Sequence, residues 1–470
     1  MRFSELDGAA VGVWGAGREI SSLARQLERR LPGARIAVIG VDAAPDDGVR
    51  ALAASTGARI VSGADAAAAA LAECDAVVRS PGVSIHRPEL VALRAGGTPV
   101  TTATALWLAE RSGRGVIGIT GTKGKSTTAA LTAHLARAAG VATDLAGNIG
   151  VPALDLLDAP PSELAVIELS SYQIADLATG TEVAVVTNLY REHLDWHGSE
   201  EAYRRDKLRL LELPGVRVAV VGAGAGGGGA DADGADADGA DASAVGDERA
   251  AAVARAAGVE LARFGVAGGW SVAADGALAY AGETLVAADE LPLRGAHNAL
   301  NLCAALTALA AAGIALPPLP AALEGFRALP HRLEPIGERD DVLWVDDSIS
   351  TTPESAVAAL DSYAGRDVVL LAGGQDRGQD YGALGRALAA RAVAVVGLPS
   401  TGPRVVEAAR AAGVPADRAL AAADLDEAVA LARGLARPGG VVLLSPAAPS
   451  YDRFRDFIER GERFRAAAGL

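Results

Sequence analysis

Residues 116–130 read VIGITGTKGKSTTAA, and no other stretch constrains the fold as much. An apolar, strand-like run at 116–119 breaks into Gly121-Thr122-Lys123-Gly124-Lys125-Ser126 and continues as a helix-like segment. Strand, glycine turn and helix in that order build one step of an α/β layer. Successive backbone N–H groups in such a turn, reinforced by the helix dipole, bind phosphate oxygens. Lys125 would reach the β- and γ-phosphates of a nucleotide, and Ser126 would offer its hydroxyl to Mg2+. The plainer alternative is a helix cap in which Ser126 or Thr127 satisfies backbone donors. Two glycines and a Lys–Ser pair behind a strand exceed what a cap needs, so phosphate binding by residues 121–127 is the expectation. The loop is short. The general phosphate-loop pattern places a glycine five residues before the second one, and here that position is Ile119.

The same alternation runs along the chain. Residues 9–14 are strand-like and lead into Gly15-Ala16-Gly17, a helix-like stretch and a second strand, Arg35–Val41. A dinucleotide-binding fold opens this way, but Ile20 occupies the place of its third glycine. A dinucleotide, another diphosphate and a structural turn all remain open, with a diphosphate other than a dinucleotide favoured. A further strand ends at Ser80-Pro81-Gly82-Val83, and open α/β sheets hold ligands at the carboxyl ends of strands. Strand-like runs at 165–169, 183–188 and 216–221 alternate with helical patterns, which predicts a parallel, doubly wound sheet. Runs at 342–345, 368–372, 392–396 and 441–444 predict another α/β domain. The expected fold is therefore α/β in three domains. These are a Rossmann-like domain at 1–97, a central domain of the phosphate-loop ATPase type with a parallel sheet at 98–328, and a Rossmann-like domain at 329–470. Residues 222–247 form a low-complexity acidic insertion. Its aspartates lack the spacing of a calcium loop and no glutamate closes the ring, so no calcium is expected.

Bulk properties narrow the partners. A chain of 470 residues suggests roughly two to four domains of ~100–200 residues. The net charge of -15 argues against a nucleic-acid coat, which needs a basic face. It leaves room for a local loop that holds anions. Cys74 and Cys303 are too few for a disulfide framework and read as core thiols. The N-terminal stretch has no secretory h-region, and no apolar run reaches membrane-spanning length. A soluble, cytoplasmic chain with no membrane partner is expected.

Single polar residues are ambiguous. Glu168 ends a strand in VIELSSYQ, where it could meet a cation held by Ser126 or simply face solvent. His193 in TNLYREHLDWH and Lys207 in YRRDKLRLLE read in isolation as surface groups. Taken in order the pieces say more. GTKGKST, GNIG at 147–150, ELSSYQ at 168–173, NLYREHLD at 188–195, AHNALN at 296–301, LPHRLE at 329–334, DDS at 346–348 and LLSPAAPSYDRF at 443–454 together resemble the Mur ligases of peptidoglycan synthesis. The resemblance covers nearly the whole chain apart from 222–247. It is nearest to the MurD branch, which adds glutamate to UDP-N-acetylmuramoyl-L-alanine. That family uses a shortened loop of the type Gly-Thr-x-Gly-Lys-Ser/Thr, so Ile119 is regular within it.

The resemblance implies roles by position. Gly15, Gly17, Ser80, Pro81 and Gly82 would hold the UDP sugar, with no NAD. Asn148 would face the substrate near ATP. Ser126, Glu168 and His193 would be magnesium ligands, joined by Lys207 if it is carbamylated, since a carbamate turns a cation into an oxygen ligand. Lys125, Asn148, His193 and Lys207 form the expected catalytic set. Asn298 and Asn301 would line the adenine side, and Arg332 and Asp347 would reach the nucleotide from the C-terminal domain. Arg377, Ser450 and Phe457 fall where glutamate is held. ATP would convert the L-alanyl carboxylate to an acyl phosphate, and the glutamate amine would attack it to form the amide. Closure of the third domain onto the second would exclude water from that step.

The sequence departs from the MurD pattern Asp-Ser-Lys-Ala-Thr-Asn, because residues 347–352 read Asp-Ser-Ile-Ser-Thr-Thr. Ile349 removes a carboxylate partner from the amino-acid side. The stretches VGVWGAGRE and DDSISTTPES resemble a branch that adds L-glutamate and leaves inversion of that residue to a partner epimerase. L-glutamate is the expected acceptor and D-glutamate the alternative. A folate polyglutamate ligase or another Mur ligase is more distant, since the folate enzymes lack the nucleotide-sugar segment ahead of the loop.

Overall fold

The computed structural model describes residues 1–190, 194–223, 248–293, 295–327 and 329–470. His193 and nearly all of 222–247, with the aspartates considered for calcium, lie outside the described residues. The chain forms two compact units, Met1–Leu291 with His297–Glu324, and Pro292–Ala296 with Gly325–Leu470.

The first unit contains two parallel sheets. Strands β1 (Ala10–Trp14), β2 (Arg35–Val41), β3 (Arg59–Ser62), β4 (Ala76–Arg79) and β5 (Val100–Thr101) lie in the order β3-β2-β1-β4-β5. The central strands β1 and β4 are buried on both faces, so their apolar runs are continuous rather than alternating. Helix α1 (Arg18–Arg30) starts directly after the Gly15–Gly17 turn, with Gly17 as its N-cap. The chain winds outward from β1 to β3 and returns on the other side of β1 at β4. The carboxyl ends of β1 and β4 therefore form a switch point, the place where such sheets bind ligands. The sheet continues to Thr101, past residue 97 where the sequence suggests a boundary.

The second sheet has β6 (Val116–Thr120), β7 (Thr143–Gly147), β8 (Leu164–Glu168), β9 (Val183–Val186), β10 (Val218–Gly222) and β11 (Glu260–Phe264), ordered β11-β10-β9-β6-β8-β7 and all parallel. Strands β6, β8, β9 and β10 are buried along their whole length. Helix α2 (Lys125–Ala138) follows β6, α3 (Ser171–Ile174) follows β8, and α4 (Glu200–Leu208) follows β9. A small antiparallel sheet, β12 (Trp270–Val272), β13 (Leu278–Tyr280) and β14 (Glu283–Val286), precedes α5 (Ala296–Ala311). The sequence pattern did not show this sheet: its strands are three or four residues long and mostly exposed or half-buried, so no apolar period builds up.

The second unit carries β15 (Glu334–Arg339), β16 (Val342–Asp346), β17 (Val368–Ala372), β18 (Ala394–Gly397), β19 (Ala419–Ala421) and β20 (Val441–Leu444), ordered β15-β16-β20-β17-β18-β19. Only β15 runs antiparallel, as an edge strand paired with β16. Helix α6 (Phe457–Ala468) closes the chain and packs Phe464 against Trp344 of β16. Cys74 and Cys303 are buried free thiols, as the composition suggests, and burial pushes Cys303 up to about 12. No described helix is long and apolar enough to cross a membrane.

Candidate active site

The carboxyl end of β6 delivers the glycine loop, and its neighbours brace it. Beyond β9, the Asn188 backbone oxygen accepts from the Thr122 N–H at 3.0 Å. The Asn188 side chain clamps Lys123 from both sides: Oδ1 accepts from its N–H at 2.8 Å and Nδ2 donates to its carbonyl at 3.1 Å. The Thr187 hydroxyl donates to that carbonyl at 2.6 Å. Thr122 Oγ1 lies 2.7 Å from the Tyr203 hydroxyl, and Lys125 Nζ donates to the Thr122 carbonyl at 2.8 Å. These contacts fix loop carbonyls and leave Gly124 as an N-cap without a side-chain bond to the first turn of α2. That helix end is a ready anion site. Glycine is required at both ends of the cradle. A Cβ on Gly121 would run into the Thr187 hydroxyl, and one on Gly124 into the Asn301 side chain. Ser126 and Thr127 are buried in the first turn of α2.

Strand β8 lies beside β6, and register pairs Ile119 with Glu168. Glu168 is 1% exposed. Its Oε1 accepts from Asn148 Nδ2 at 3.0 Å, while Oε2 is buried with no hydrogen-bond partner. A buried carboxylate oxygen without a donor costs several kcal/mol on the scale of ~2–7 kcal/mol for an unpaired polar group, so it marks a place that a cation would satisfy. The donor set, one hard oxygen beside a phosphate loop, fits Mg2+. Asn148 is held in turn by its backbone N–H, which donates to the Glu168 carbonyl at 2.9 Å.

Lys207 is not a solvated helix charge, which is how its local sequence reads in isolation. It is 2% exposed on the inner face of α4, its Nζ donates to the Gly121 carbonyl at 2.6 Å, and it lies 5.0 Å from the Tyr203 ring centre. Asn301 on α5 accepts from Thr128 Oγ1 at 3.3 Å and donates to Asn298 Oδ1 at 3.4 Å. Asn301 thus stands at the phosphate-loop helix, with Asn298 bonded to it. Gly15 and Gly17 follow β1 and Ser80, Pro81 and Gly82 follow β4, at the switch point of the first sheet. The Ser80 N–H donates to the Trp14 carbonyl at 2.8 Å. In this unit the structure adds Thr187, Asn188 and Tyr203, which sequence reasoning missed. Thr187 and Asn188 were legible only as the residues following an adjacent strand.

The second unit gathers its polar residues at the carboxyl ends of β16, β17 and β20. Asp347 is buried and accepts from Ser350 Oγ at 2.5 Å, Ser445 Oγ at 2.7 Å and the Leu333 N–H at 3.1 Å. Burial pushes its carboxyl up to about 6, against the pull of those bonds and of Arg332. His331 Nδ1 lies 2.7 Å from Asp346 Oδ2, and this bond raises the imidazole above its ordinary value. Arg460, buried, donates from Nε to Ser348 Oγ at 3.0 Å and from Nη1 to the Ala448 carbonyl at 3.2 Å. Burial brings it down to about 10. Ser348 Oγ donates to the Phe457 carbonyl at 2.8 Å, and the Phe457 ring meets His331 edge-on at 5.9 Å. Ser450 is buried on the loop after β20, and Ile349 is half-buried on the loop after β16. Arg377 is exposed on the loop after β17.

Residues 119–309 match the family model of the Mur ligase middle domain, and 331–448 match that of the Mur ligase glutamate ligase domain. A protein from a Micromonospora strain, named UDP-N-acetylmuramoyl-L-alanine--L-glutamate ligase, is 42% identical over 99% of this chain and 98% of its own length. The chain belongs to the Mur ligase family. Proteins of the same name from Salinispora tropica and Xanthomonas axonopodis pv. citri are 42% and 40% identical, each over at least 97% of both chains. Among solved structures, the UDP-N-acetylmuramate-alanine ligase MurC of Thermotoga maritima matches with a TM-score of 0.58 at 18% identity, over 98% of this chain and 100% of that one. The MurF ligase of the same organism, solved with ADP, matches with a TM-score of 0.57 at 16% identity, over 100% and 97%. At those identities the two structures speak for the fold of this Mur ligase.

Proposed function

We propose that this Mur ligase joins L-glutamate to the L-alanyl carboxylate of UDP-N-acetylmuramoyl-L-alanine, with ATP activating that carboxylate as an acyl phosphate. The observation that carries the reading is Glu168, a buried carboxylate with an orphaned oxygen, set beside a braced phosphate loop. The names of relatives that align over nearly the full chain support the substrate pair. Residues 1–97 hold the UDP sugar through the loops after β1 and β4, 98–328 hold ATP, and 329–470 hold glutamate through Ser450, Phe457 and Arg377.

Carboxylates are poor acylating agents, so the barrier lies in building charge on the transferring phosphoryl group. The backbone N–H groups at the start of α2 and the Lys125 ammonium would meet that charge. Ser126, Glu168 and His193 would hold Mg2+, with Lys207 as a carbamate beside them, and the ion would neutralise the phosphate oxygens. Asn148 orients Glu168 and faces the acyl group. Asn298 and Asn301 line the base. The L-glutamyl product implies a partner epimerase downstream.

The test is phosphate release from ATP with Mg2+ and UDP-N-acetylmuramoyl-L-alanine, with L- and D-glutamate in parallel. Turnover with L-glutamate alone is expected. Turnover with D-glutamate alone would refute the chirality, and turnover with neither would refute the substrate pair.

A further inference from the structure

Arg79 ends β4, and no role described above uses it. It is fully buried, at 0% exposed, and its guanidinium is spread over two pieces of chain. Nε and Nη2 donate to the two oxygens of Asp176, both at 2.9 Å, and Nη2 also to the Tyr172 carbonyl at 2.6 Å. Nη1 donates to the carbonyls of Pro81 at 3.1 Å and Val83 at 3.0 Å, with Ser80 at 3.5 Å. One side of the fork therefore grips the loop after β4. The other grips α3 and the residues after it, which follow Glu168 directly.

A second set of contacts repeats the connection. Trp196 Nε1 donates to the Pro81 carbonyl at 3.1 Å, and Ser84 Oγ donates to the Trp196 carbonyl at 2.7 Å. The Trp196 ring stacks on Tyr172 with centres 4.6 Å apart, and Arg79 lies 5.6 Å from the Trp196 ring centre. His86 Nε2 lies 2.7 Å from Asp206 Oδ2, next to Lys207. The loop has few other anchors: its one internal turn is the Val83 N–H to Ser80 carbonyl bond at 2.9 Å, and nothing lies within 4 Å of a Cβ built on Gly82. A strand end needs only an apolar residue for stability, and a buried ion pair is a poor stabiliser by itself. Its use here is directional, because only a planar fork with five donors serves a carboxylate and four carbonyls together.

We infer that Arg79 is a positioning residue that presets the Ser80–Val83 loop against the segment carrying Glu168, so that the UDP sugar and the phosphoryl-transfer groups share one register. This rests on the proposed reading of Ser80, Pro81 and Gly82 as a UDP-sugar site. Arg79→Lys tests it, since a lysine can serve Asp176 or the loop carbonyls but not both. Two readouts are taken on the whole protein: amide exchange of 80–84 without ligand, and KM for each of the three substrates. The expectation is faster exchange at 80–84, a lower Tm because some buried acceptors lose their donor, and a rise of about tenfold or more in KM for UDP-N-acetylmuramoyl-L-alanine, with KM for glutamate and kcat close to wild type. Unchanged exchange, or faster exchange with no selective rise in that KM, overturns the inference. So does a common drop in all three affinities, which is what a merely structural residue gives. Should Arg79→Lys not fold, Trp196→Phe removes the Pro81 bond alone, and a smaller rise confined to the same KM is expected; no rise overturns the inference. Wild-type protein without turnover on that substrate refutes the proposed function instead, and exchange at 80–84 still decides whether Arg79 orders the loop.

Discussion

Two glycines at opposite ends of α2 have nearly the same backbone, and comparing them isolates what the phosphate loop demands. Gly124 precedes the helix at φ +78° and Gly140 follows it at φ +80°. An L-residue in that left-handed conformation costs about 1–2 kcal/mol. Nothing lies within 4 Å of a Cβ on Gly140, so Gly140→Ala incurs the backbone cost alone. Gly124→Ala also drives a methyl into Asn301, which is buried and tied to Thr128 and Asn298. Overpacking of this kind adds about 1–3 kcal/mol, giving roughly 2–5 kcal/mol for Gly124→Ala against 1–2 for Gly140→Ala. Urea unfolding of the four proteins wild type, Gly124→Ala, Asn301→Ala and the double variant should show a coupling of about 1–3 kcal/mol, because truncating Asn301 makes room for the methyl. An ADP titration should find Gly140→Ala like wild type and Gly124→Ala weakened by an order of magnitude or more. If Gly124→Ala is no worse than Gly140→Ala, or the cycle shows no coupling, Asn301 does not limit the loop and the reasoning fails.

Other perturbations follow from buried charge. Glu168→Gln keeps an oxygen for Asn148 and removes the charge on the orphaned side. Activity should fall by about a hundredfold or more while Tm holds or rises, and a lower Tm with activity retained would contradict the cation reading. Asp347 has its folded value raised from 3.8 to about 6, so its contribution is fully present below about pH 3.8 and is lost as pH rises through about 6. The shift corresponds to about 3 kcal/mol, and the stability difference between wild type and Asp347→Asn should change by that order between about pH 4 and 7; a flat difference refutes it. Gly461→Ala would push a methyl into the His331–Asp346 pair. Because the folded value of His331 is raised, its stabilisation is full below about pH 6.5 and disappears above the raised value, and the variant should lose that dependence. Equal pH slopes for the two proteins would show that the pair does not supply it.

The central strands of the parallel sheets were legible because they are buried on both faces, while the more exposed or shorter β3, β5, β7, β11 and β19 were not. Arg35–Val41, Val368–Ala372 and Val441–Leu444 stand where the apolar runs end on polar or glycine residues. Strands without such a run escaped. β15 is an edge strand with Glu338 and Arg339 exposed, and β12–β14 have too few residues for any period to emerge. Strand β5, just past the boundary expected at residue 97, is defined only by its pairing with β4.

The site was legible to the extent that its chemistry sits on one contiguous stretch. The loop 121–127 carries its own warrant, since a strand end, glycines and a helix start must coincide to make an anion cradle. Glu168 and Lys207 carry none locally: one is a strand-end acid and the other a helix base until folding brings Glu168 beside the end of β6 and Lys207 onto the Gly121 carbonyl. Arg79 lies further out of reach. In AVVRSPG it reads as the polar end of a strand, and its partners Tyr172 and Asp176 are more than ninety residues away. What it does depends on the fork and on which carbonyls that fork meets, and neither property belongs to a segment of sequence. A residue whose partners are mostly backbone oxygens leaves no pattern of residue types to detect, so positioning residues of this kind emerge only when every donor of a buried cation is followed to its acceptor.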